Sequence, residues 1–365
     1  MLYVMHYVQI MNRAGQETFI MNLFRKIDRE QIQFDFMCSE TGNGDYDEEI
    51  RALGGRIYHP RLNRNPGAWR HVQNVFLLRR ALKDLNHPCD VFHIHTDHAM
   101  DAFRCALAAK LAGIRTVVVH SHNTSNLYHL KAHELFKKLL AKMNVCRFAC
   151  SQEAGTWLFG ESNFTVLHNG LDIDKFRYDQ AKRDALRKRM NWHGKKIVGH
   201  VGRFNEQKNH KFVIEVFREL HRQNSDTHLV LVGRGELEES IQDMVEQSQL
   251  SEAVTFLGVR EDVQELYQGM DLFFFPSLFE GLPVVLVEAQ ATGLPCLISD
   301  TIPAEAVFTE HVIQKSLDDV PSAWADAAVG LLHLTPFRED SCCAVQDAGY
   351  DISDLAMHLA ERYMA

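Results

Sequence analysis

Short apolar runs rich in Val, Ile and Phe recur from one end of the chain to the other, and most are followed by a loop and a segment with helical spacing. LYVMHYV, FDFMC, RIYHP, DVFHIH, TVVVHS and CRFACS occupy the first half, and KIVGHVG, HLVLVG, VTFLG, DLFFFPS and PCLISD the second. Runs this continuously apolar suit strands covered on both faces, and their alternation with helices is the pattern of parallel sheets. Helical segments such as ETFIMNLFRKI, WRHVQNVFLLRRALKDL and AMDAFRCALAAKLAG lie between them, the last closed by Gly113 as a terminator. With 365 residues the chain is too long for one ordinary core and suits two domains of roughly 150 to 200 residues. The expectation is an α/β protein of two doubly wound, Rossmann-like domains, 1–170 and 171–345, followed by a helix within 346–365. The boundary falls near VLHNGLDIDKFRYDQAKRD, where a charged, turn-rich stretch has no apolar period. The last segment, DISDLAMHLAERYMA, has helical spacing behind the N-cap candidates Asp351 and Ser353.

A hydrophobic share of 46% and a charged share of 24% describe a soluble globular protein rather than a disordered one. The opening MLYVMHYVQIMNRAG has neither the basic start nor the long apolar core of a signal peptide, and no apolar run approaches the 18 or so residues that span a bilayer. The expected location is cytoplasmic. The eight cysteines sit mostly in apolar stretches without zinc-ribbon spacing, as reduced core cysteines do. A net charge of −9 argues against sequence-independent nucleic-acid binding. The charge is uneven: residues 1–170 hold 20 Lys and Arg against 16 Asp and Glu, and residues 171–365 hold 19 against 32. The halves therefore present different surfaces to different partners.

Open parallel sheets bind ligands beyond the carboxyl ends of their strands, so the loops after strands are where a site belongs. After KIVGHV comes GRFNEQKNH, where Gly202 permits a tight turn and Arg203 and Lys208 bracket a loop leading into a helix. Two cations beside a helix N-terminus suit a polyanion such as a diphosphate, although a solvated basic loop has the same composition. Asp262, in the first helical turn after VTFLG, fits an ordinary cap and also falls among the donor-binding positions. After FFFPS, the turn Gly281, Leu282, Pro283 and Val284 starts a helix whose unpaired amides suit a phosphate. Glu280 in the loop can accept from sugar hydroxyls, and Glu288 on the helix can hold a ribose diol.

VGRFNEQKNH, HNGLDIDKF and the long stretch from LVLVGRGELEES to ATGLPCLISD resemble the nucleotide-binding half of the retaining glycosyltransferases of family 4, which share the two-Rossmann GT-B fold. The likeness is greatest to the bacterial exopolysaccharide and capsule enzymes. Glu280 and Glu288 match that family's E-x7-E motif, with EGLP and EAxAxGxP around them. The resemblance implies that Arg203 and Lys208 neutralise the donor diphosphate, that Glu280 orients the donor sugar, that Glu288 holds the ribose, and that amides around Leu282–Val284 cradle phosphate. It implies a UDP-sugar or other nucleoside-diphosphate-sugar donor, no cofactor and no metal, and a final helix that can return to the first domain.

In the first half, the family's glycine-rich loop corresponds to QIMNRAGQETF, which keeps Gly15 but has Ala14 in place of its partner. The family also places a histidine near the anomeric centre, and VVVHSHNTS offers both His120 and His122 without choosing between them. HIHTDHAMD could supply a metal set on paper from His93, His95, Asp97, His98 and Asp101; because residues 93 and 95 share a strand face, a strand end lining the cleft is preferred. The segment 129–148, HLKAHELFKKLLAKMNVCRF, gathers Lys131, Lys137, Lys138, Lys142 and Arg147 around apolar positions. It reads as an amphipathic surface helix or as an interfacial helix on anionic lipid. The resulting expectation is a metal-independent glycosyltransferase acting on a lipid-linked saccharide, peripheral on the inner face of the cell membrane. Its rivals are an epimerase or hydrolase of sugar nucleotides on the same plan, and a non-catalytic nucleotide-sugar-binding regulatory subunit.

Overall fold

The computed structural model describes residues 1–64, 69–123, 129–280, 282–334, 338 and 340–364. The chain forms two units, Met1–Leu171 with Gly349–Ala365, and Asp172–Ala348. The first unit runs β1 (Leu2–Val8), α1 (Gly15–Lys26), β2 (Ile32–Cys38), α2 (Asp47–Ala52), β3 (Ile57–Tyr58), α3 (Trp69–Lys83), β4 (Val91–Thr96), α4 (Ala99–Ala112), β5 (Thr116–Ser121), α5 (Leu130–Ala141), β6 (Cys146–Ala149), α6 (Gln152–Phe159) and β7 (Thr165–Val166). The second opens with α7 (Ile173–Phe176) and α8 (Gln180–Arg189). It continues β8 (Lys196–Val201), α9 (His210–Gln223), β9 (Thr227–Val232), α10 (Glu238–Gln247), β10 (Val254–Phe256) and α11 (Val263–Gly269). It ends β11 (Leu272–Phe275), α12 (Val284–Ala291), β12 (Cys296–Ser299), β13 (Val312–Lys315), α13 (Pro321–Leu332) and α14 (Ser341–Asp347). The chain closes with α15 (Ile352–Met364), which belongs to the first unit.

The two sheets are parallel, seven strands in the order β3-β2-β1-β4-β5-β6-β7 and six in the order β10-β9-β8-β11-β12-β13. Every residue of β2 and β9 is buried, because helices cover both faces and each side chain, whichever way it points, meets a core. Gly113 ends α4 at φ 93°, a conformation open to glycine at no steric cost. In each sheet the strand order reverses beside the first strand of its unit, between β1 and β4 and between β8 and β11. A crevice opens at such a switch point, so the loops after these four strands are placed to bind ligand.

Helix α15 buries Ile352, Leu355, Ala356, Leu359 and Tyr363, a stripe at helical spacing, in the core cluster that also holds Phe24, Phe34 and Phe36. Asp351 caps it, its carboxylate accepting from the Ser353 amide at 2.8 Å. A single β-bridge between Leu171 and Asp351 brings the end of the chain back beside the end of the first unit's contiguous part. All eight cysteines are free thiols, five of them buried.

Candidate active site

In the second unit, the loop after β8 is shaped by Asn205, whose side chain accepts from the Lys208 amide at 3.2 Å, and by Asn209 at φ 54°. A side chain at Gly202 would press on Lys208 Cγ at 3.1 Å, so the glycine leaves room for the lysine stem. Lys208 turns inward. Its Nζ lies 2.6 Å from Glu280 Oε1 and 4.6 Å from the centre of the Phe275 ring, with only 15% of the lysine and 8% of the glutamate side chain exposed. The loop after β11 is held to the β8 loop by Gln207, which donates to the Phe279 carbonyl at 2.9 Å, and by Asn209, which donates to the Pro276 carbonyl at 3.2 Å. Two residue types that the sequence suggests for separate tasks thus form one ion pair across 72 positions of chain.

Arg203 is different. Its side chain is 71% exposed and pairs with the exposed Glu236 at 3.2 Å, so the guanidinium points to solvent rather than beside Lys208. Asp262 stands at the N-cap of α11 but makes no capping hydrogen bond. Its carboxylate faces the Arg260 guanidinium, at 2.8 and 2.6 Å, and the pairing holds it below the usual carboxylate range. The cap expected at Asp262 is therefore corrected to an ion pair, because a guanidinium two residues away binds a carboxylate with two parallel hydrogen bonds. Pro283 precedes α12, and no side chain caps that helix. Leu282 and Val284 are half-buried; Gly281 lies outside the described residues. Glu288, one turn into α12, accepts from the Tyr267 hydroxyl at 3.2 Å, and burial pushes its carboxyl up to about 7.

In the first unit a cavity of about 520 Å³ opens at the β1–β4 switch point, lined among others by Gln16, Glu17, His95, Asp97, Arg104 and His122. Gly15 starts α1 beside it, and a side chain there would meet nothing within 4 Å. The structure separates the two candidate histidines. His120 is fully buried against Phe19 and Phe148, whereas His122 lines the cavity with its Nε2 2.8 Å from His95 Nδ1. Burial drives the His122 ring down to about 3, so it is a neutral imidazole. Glu17 and Arg104 are cavity residues that sequence reasoning missed. Burial raises the Glu17 carboxyl, and Arg104 pairs with Asp101 and His71. Its place in the first turn of α1, at the end of the loop that follows β1, was the available signal for Glu17; Arg104, a turn into α4, had none.

The segment 129–148 is not one helix. It comprises α5, a turn and the start of β6, and Arg147 folds back to donate to the carbonyls of Leu140, Ala141 and Met143 that end α5. A guanidinium there satisfies orphan carbonyls and offsets the helix dipole, which takes it out of any lipid-facing set. An exposed apolar stripe lies on α3, where Trp69 is 69% exposed and Phe76 57%, with Val72 between them. These positions share one helix face, and α3 carries Arg70, Arg79, Arg80 and Lys83 with no acidic residue. Among the described residues, no helix is long and apolar enough to cross a membrane.

Residues 182–340 match the family described as glycosyl transferases group 1, and residues 13–175 match glycosyltransferase family 4. The Bacillus subtilis (strain 168) protein EpsF, named as a glycosyltransferase, is 39% identical over 95% of this chain and 92% of its own. The Escherichia coli UDP-Gal:alpha-D-GlcNAc-diphosphoundecaprenol alpha-1,3-galactosyltransferase is 28% identical over 79% of this chain and 76% of its own. The crystal structure of Anabaena Alr3699/HepE in complex with UDP superposes with a TM-score of 0.77 at 17% identity, covering 99% of both chains. With two parallel Rossmann-like sheets, Lys208 and Glu280 paired in the switch-point loops, and 39% identity to EpsF over nearly the whole length, the chain is a glycosyltransferase of family 4 with the GT-B fold.

Proposed function

We propose that this glycosyltransferase moves a sugar from a UDP-sugar, with retention and without a metal ion, to a lipid-linked saccharide in exopolysaccharide or capsule biosynthesis. The observation that carries the reading is the largely buried Lys208–Glu280 pair at the second unit's switch point, with Glu288 on the helix that follows. The E. coli relative, whose name specifies a UDP-galactose donor and a diphosphoundecaprenol-linked acceptor, supports the donor and acceptor classes.

In this reading Lys208 supplies the positive charge that stabilises the departing diphosphate, and Glu280 both holds the ammonium and accepts from the donor sugar hydroxyls. Arg203 leaves Glu236 to join the phosphates when donor binds. An exposed pair worth less than about 1 kcal/mol is a small obstacle to that movement. The backbone N–H groups of Leu282 and Val284 donate to phosphate oxygens, Asp262 and Gly202 border the donor, and Glu288 accepts from the ribose hydroxyls. The anomeric carbon–oxygen bond to UDP breaks as the acceptor oxygen bonds on the same face, and the acceptor's proton passes to the leaving diphosphate. His122 stands near the anomeric carbon, Gly15 borders the donor, and His120 supports His122 from the core.

A lipid-linked acceptor calls for a membrane-facing surface. The Trp69–Val72–Phe76 stripe on α3, with Arg70 and Lys83 on the same helix, suits an anionic bilayer, whereas Arg79 is taken up by the Leu111 carbonyl and Arg80 by Asp84. A thermal-shift panel of UDP-, GDP- and ADP-sugars, with and without divalent metal, tests the donor assignment, since a ligand that binds the folded state raises its melting temperature. UDP-sugars are expected to stabilise in the absence of metal. Stabilisation only with metal added, or free sugar released equally with and without acceptor, would replace this reading with a metal-dependent transferase or a hydrolase.

A further inference from the structure

A second cavity, of about 490 Å³, adjoins the one at the first unit's switch point: Ser39, Leu62, Asp97, Asp101 and Arg104 line both. Helix α3 forms one wall. Its Arg70, His71 and Asn74 share a face by the i, i+3, i+4 rule, turned away from the exposed Trp69–Val72–Phe76 stripe. Arg104 enters from α4, and Arg64 from the loop before α3. Asn74 fixes that loop, its side chain accepting from the Asn63 amide at 2.7 Å and donating to the Asn63 carbonyl at 3.1 Å.

Three guanidiniums and an imidazole thus line one hollow, and all keep accessible surface: Arg64 is exposed, and Arg70, His71 and Arg104 are half-buried. Acids line it as well. Asp101 pairs with Arg104, which also donates to the His71 ring; Glu40 accepts from Gln9 at 2.6 Å; and Asp97 stands where the two cavities meet. Arg64 donates to the Ser39 carbonyl, and neither it nor Arg70 has a carboxylate partner among the described residues. The first unit's remaining residues, 65–68, 124–128 and 365, contain no acid. The cations also act on one imidazole, since His71 is held below its ordinary value by burial and then by Arg104, Arg70 and His129. Like charges gathered without enough counter-charge repel, and a ligand that brings negative charge relieves them. Guanidiniums match phosphate oxygens with paired hydrogen bonds, so a phosphate group suits this wall better than a single carboxylate.

We infer that Arg64, Arg70 and Arg104 form an anion subsite for the diphosphate of the lipid-linked acceptor, beside the switch-point cavity that receives its sugar. The identity of the acceptor rests on the transferase reading, but the subsite itself is measurable by binding alone. Bound phosphate accepts from the three guanidiniums and offsets the positive charge around His71, whose ring then holds a proton more readily.

The test is calorimetric titration of the full chain, its donor site filled by saturating UDP, with inorganic pyrophosphate and with farnesyl diphosphate. Both probes should bind. Arg70→Gln and Arg64→Gln should each weaken both about tenfold or more, the worth of a charged hydrogen bond, and Arg70→Lys should recover part of the loss. Arg115→Gln removes an exposed cation at the start of β5, outside both cavities, and should leave binding unchanged. Histidine NMR reports the site directly, whether or not UDP is bound: with His71 assigned through His71→Gln, its ring should titrate at higher pH once pyrophosphate is present. Binding unaltered by Arg64→Gln and Arg70→Gln, an equal loss in Arg115→Gln, or an unmoved His71 would overturn the subsite. Pyrophosphate bound and farnesyl diphosphate excluded would overturn its assignment to the acceptor and leave a site for free phosphate. If no sugar is ever transferred, the titrations still decide the subsite while the transferase reading alone fails.

Discussion

Glu288 should make the unliganded protein less stable, and by an amount that depends on pH. Burial raises its carboxyl from 4.5 to about 7, against a smaller opposing effect of the Tyr267 hydroxyl. The folded state therefore holds this proton more tightly than the unfolded chain. Below about pH 4.5 both states are protonated and the group costs nothing. The cost builds as pH rises from there and is complete above about 7. A shift of about 2.5 units at 1.36 kcal/mol each comes to about 3 kcal/mol. Glu288→Gln retains an oxygen to accept from Tyr267 but has nothing to ionise. It should stabilise the second unit by about 3 kcal/mol at pH 8 and by about 1 kcal/mol at pH 5, while weakening UDP binding. For a unit of this size that is roughly 6 to 12 °C in melting temperature at pH 8. Because the chain has two units, the transition to follow is that of Asp172–Ala348, identified as the one that UDP shifts in the wild-type protein. An equal effect of Glu288→Gln at the two pH values, or a loss of stability at pH 8, would refute the reasoning.

Other perturbations address the neighbouring groups. Lys208→Met leaves Glu280 as a nearly buried carboxylate without its cation and should cost about 3 to 5 kcal/mol, whereas the double variant Lys208→Met/Glu280→Gln should regain most of that stability in urea melts yet stay inactive. Arg338, a buried guanidinium, donates to the carbonyls of Tyr267, Met270 and Thr292 at the ends of α11 and α12. Arg338→Leu strands the Tyr267 and Thr292 carbonyls, while Met270 still accepts from Arg183 at 2.8 Å, and at about 1 to 3 kcal/mol for each unsatisfied group the loss should be about 2 to 6 kcal/mol by denaturant unfolding. Replacing Trp69 and Phe76 together by Ser should reduce sedimentation with anionic vesicles several-fold without altering recovery with neutral ones. Equal recovery in all four combinations would dismiss α3 as the membrane face.

The strand and helix alternation was readable because buried parallel strands admit almost nothing but apolar residues; β8, β11 and β12 fall inside the runs named from the sequence, and β9 begins one residue before its run. Glu280 and Glu288 were readable through the residues around them, since spacing alone is common. What could not be read was pairing between distant positions. Lys208 and Glu280 are 72 residues apart, and His95 and His122 are 27 apart. Periodicity carries no information about which side chain ends opposite which in such cases. Segment 129–148 misled because cations and apolar residues keep helical spacing beyond Ala141, although the chain turns at Lys142–Met143 and enters β6. Arg338 was invisible for a related reason: a lone arginine in a polar loop looks like a surface residue until the carbonyls that surround it are known.

The return of α15 has a consequence for biosynthesis. Residues 172–348 are contiguous and can complete their sheet as soon as they leave the ribosome, but the unit made first waits for α15, which is made after the second unit. Until Tyr363 is synthesised and reaches His93, 2.5 Å away in the finished structure, the apolar ground that α15 covers lies open on the nascent chain. A stop codon a dozen residues early would thus spoil the half of the molecule translated first and spare the half translated second.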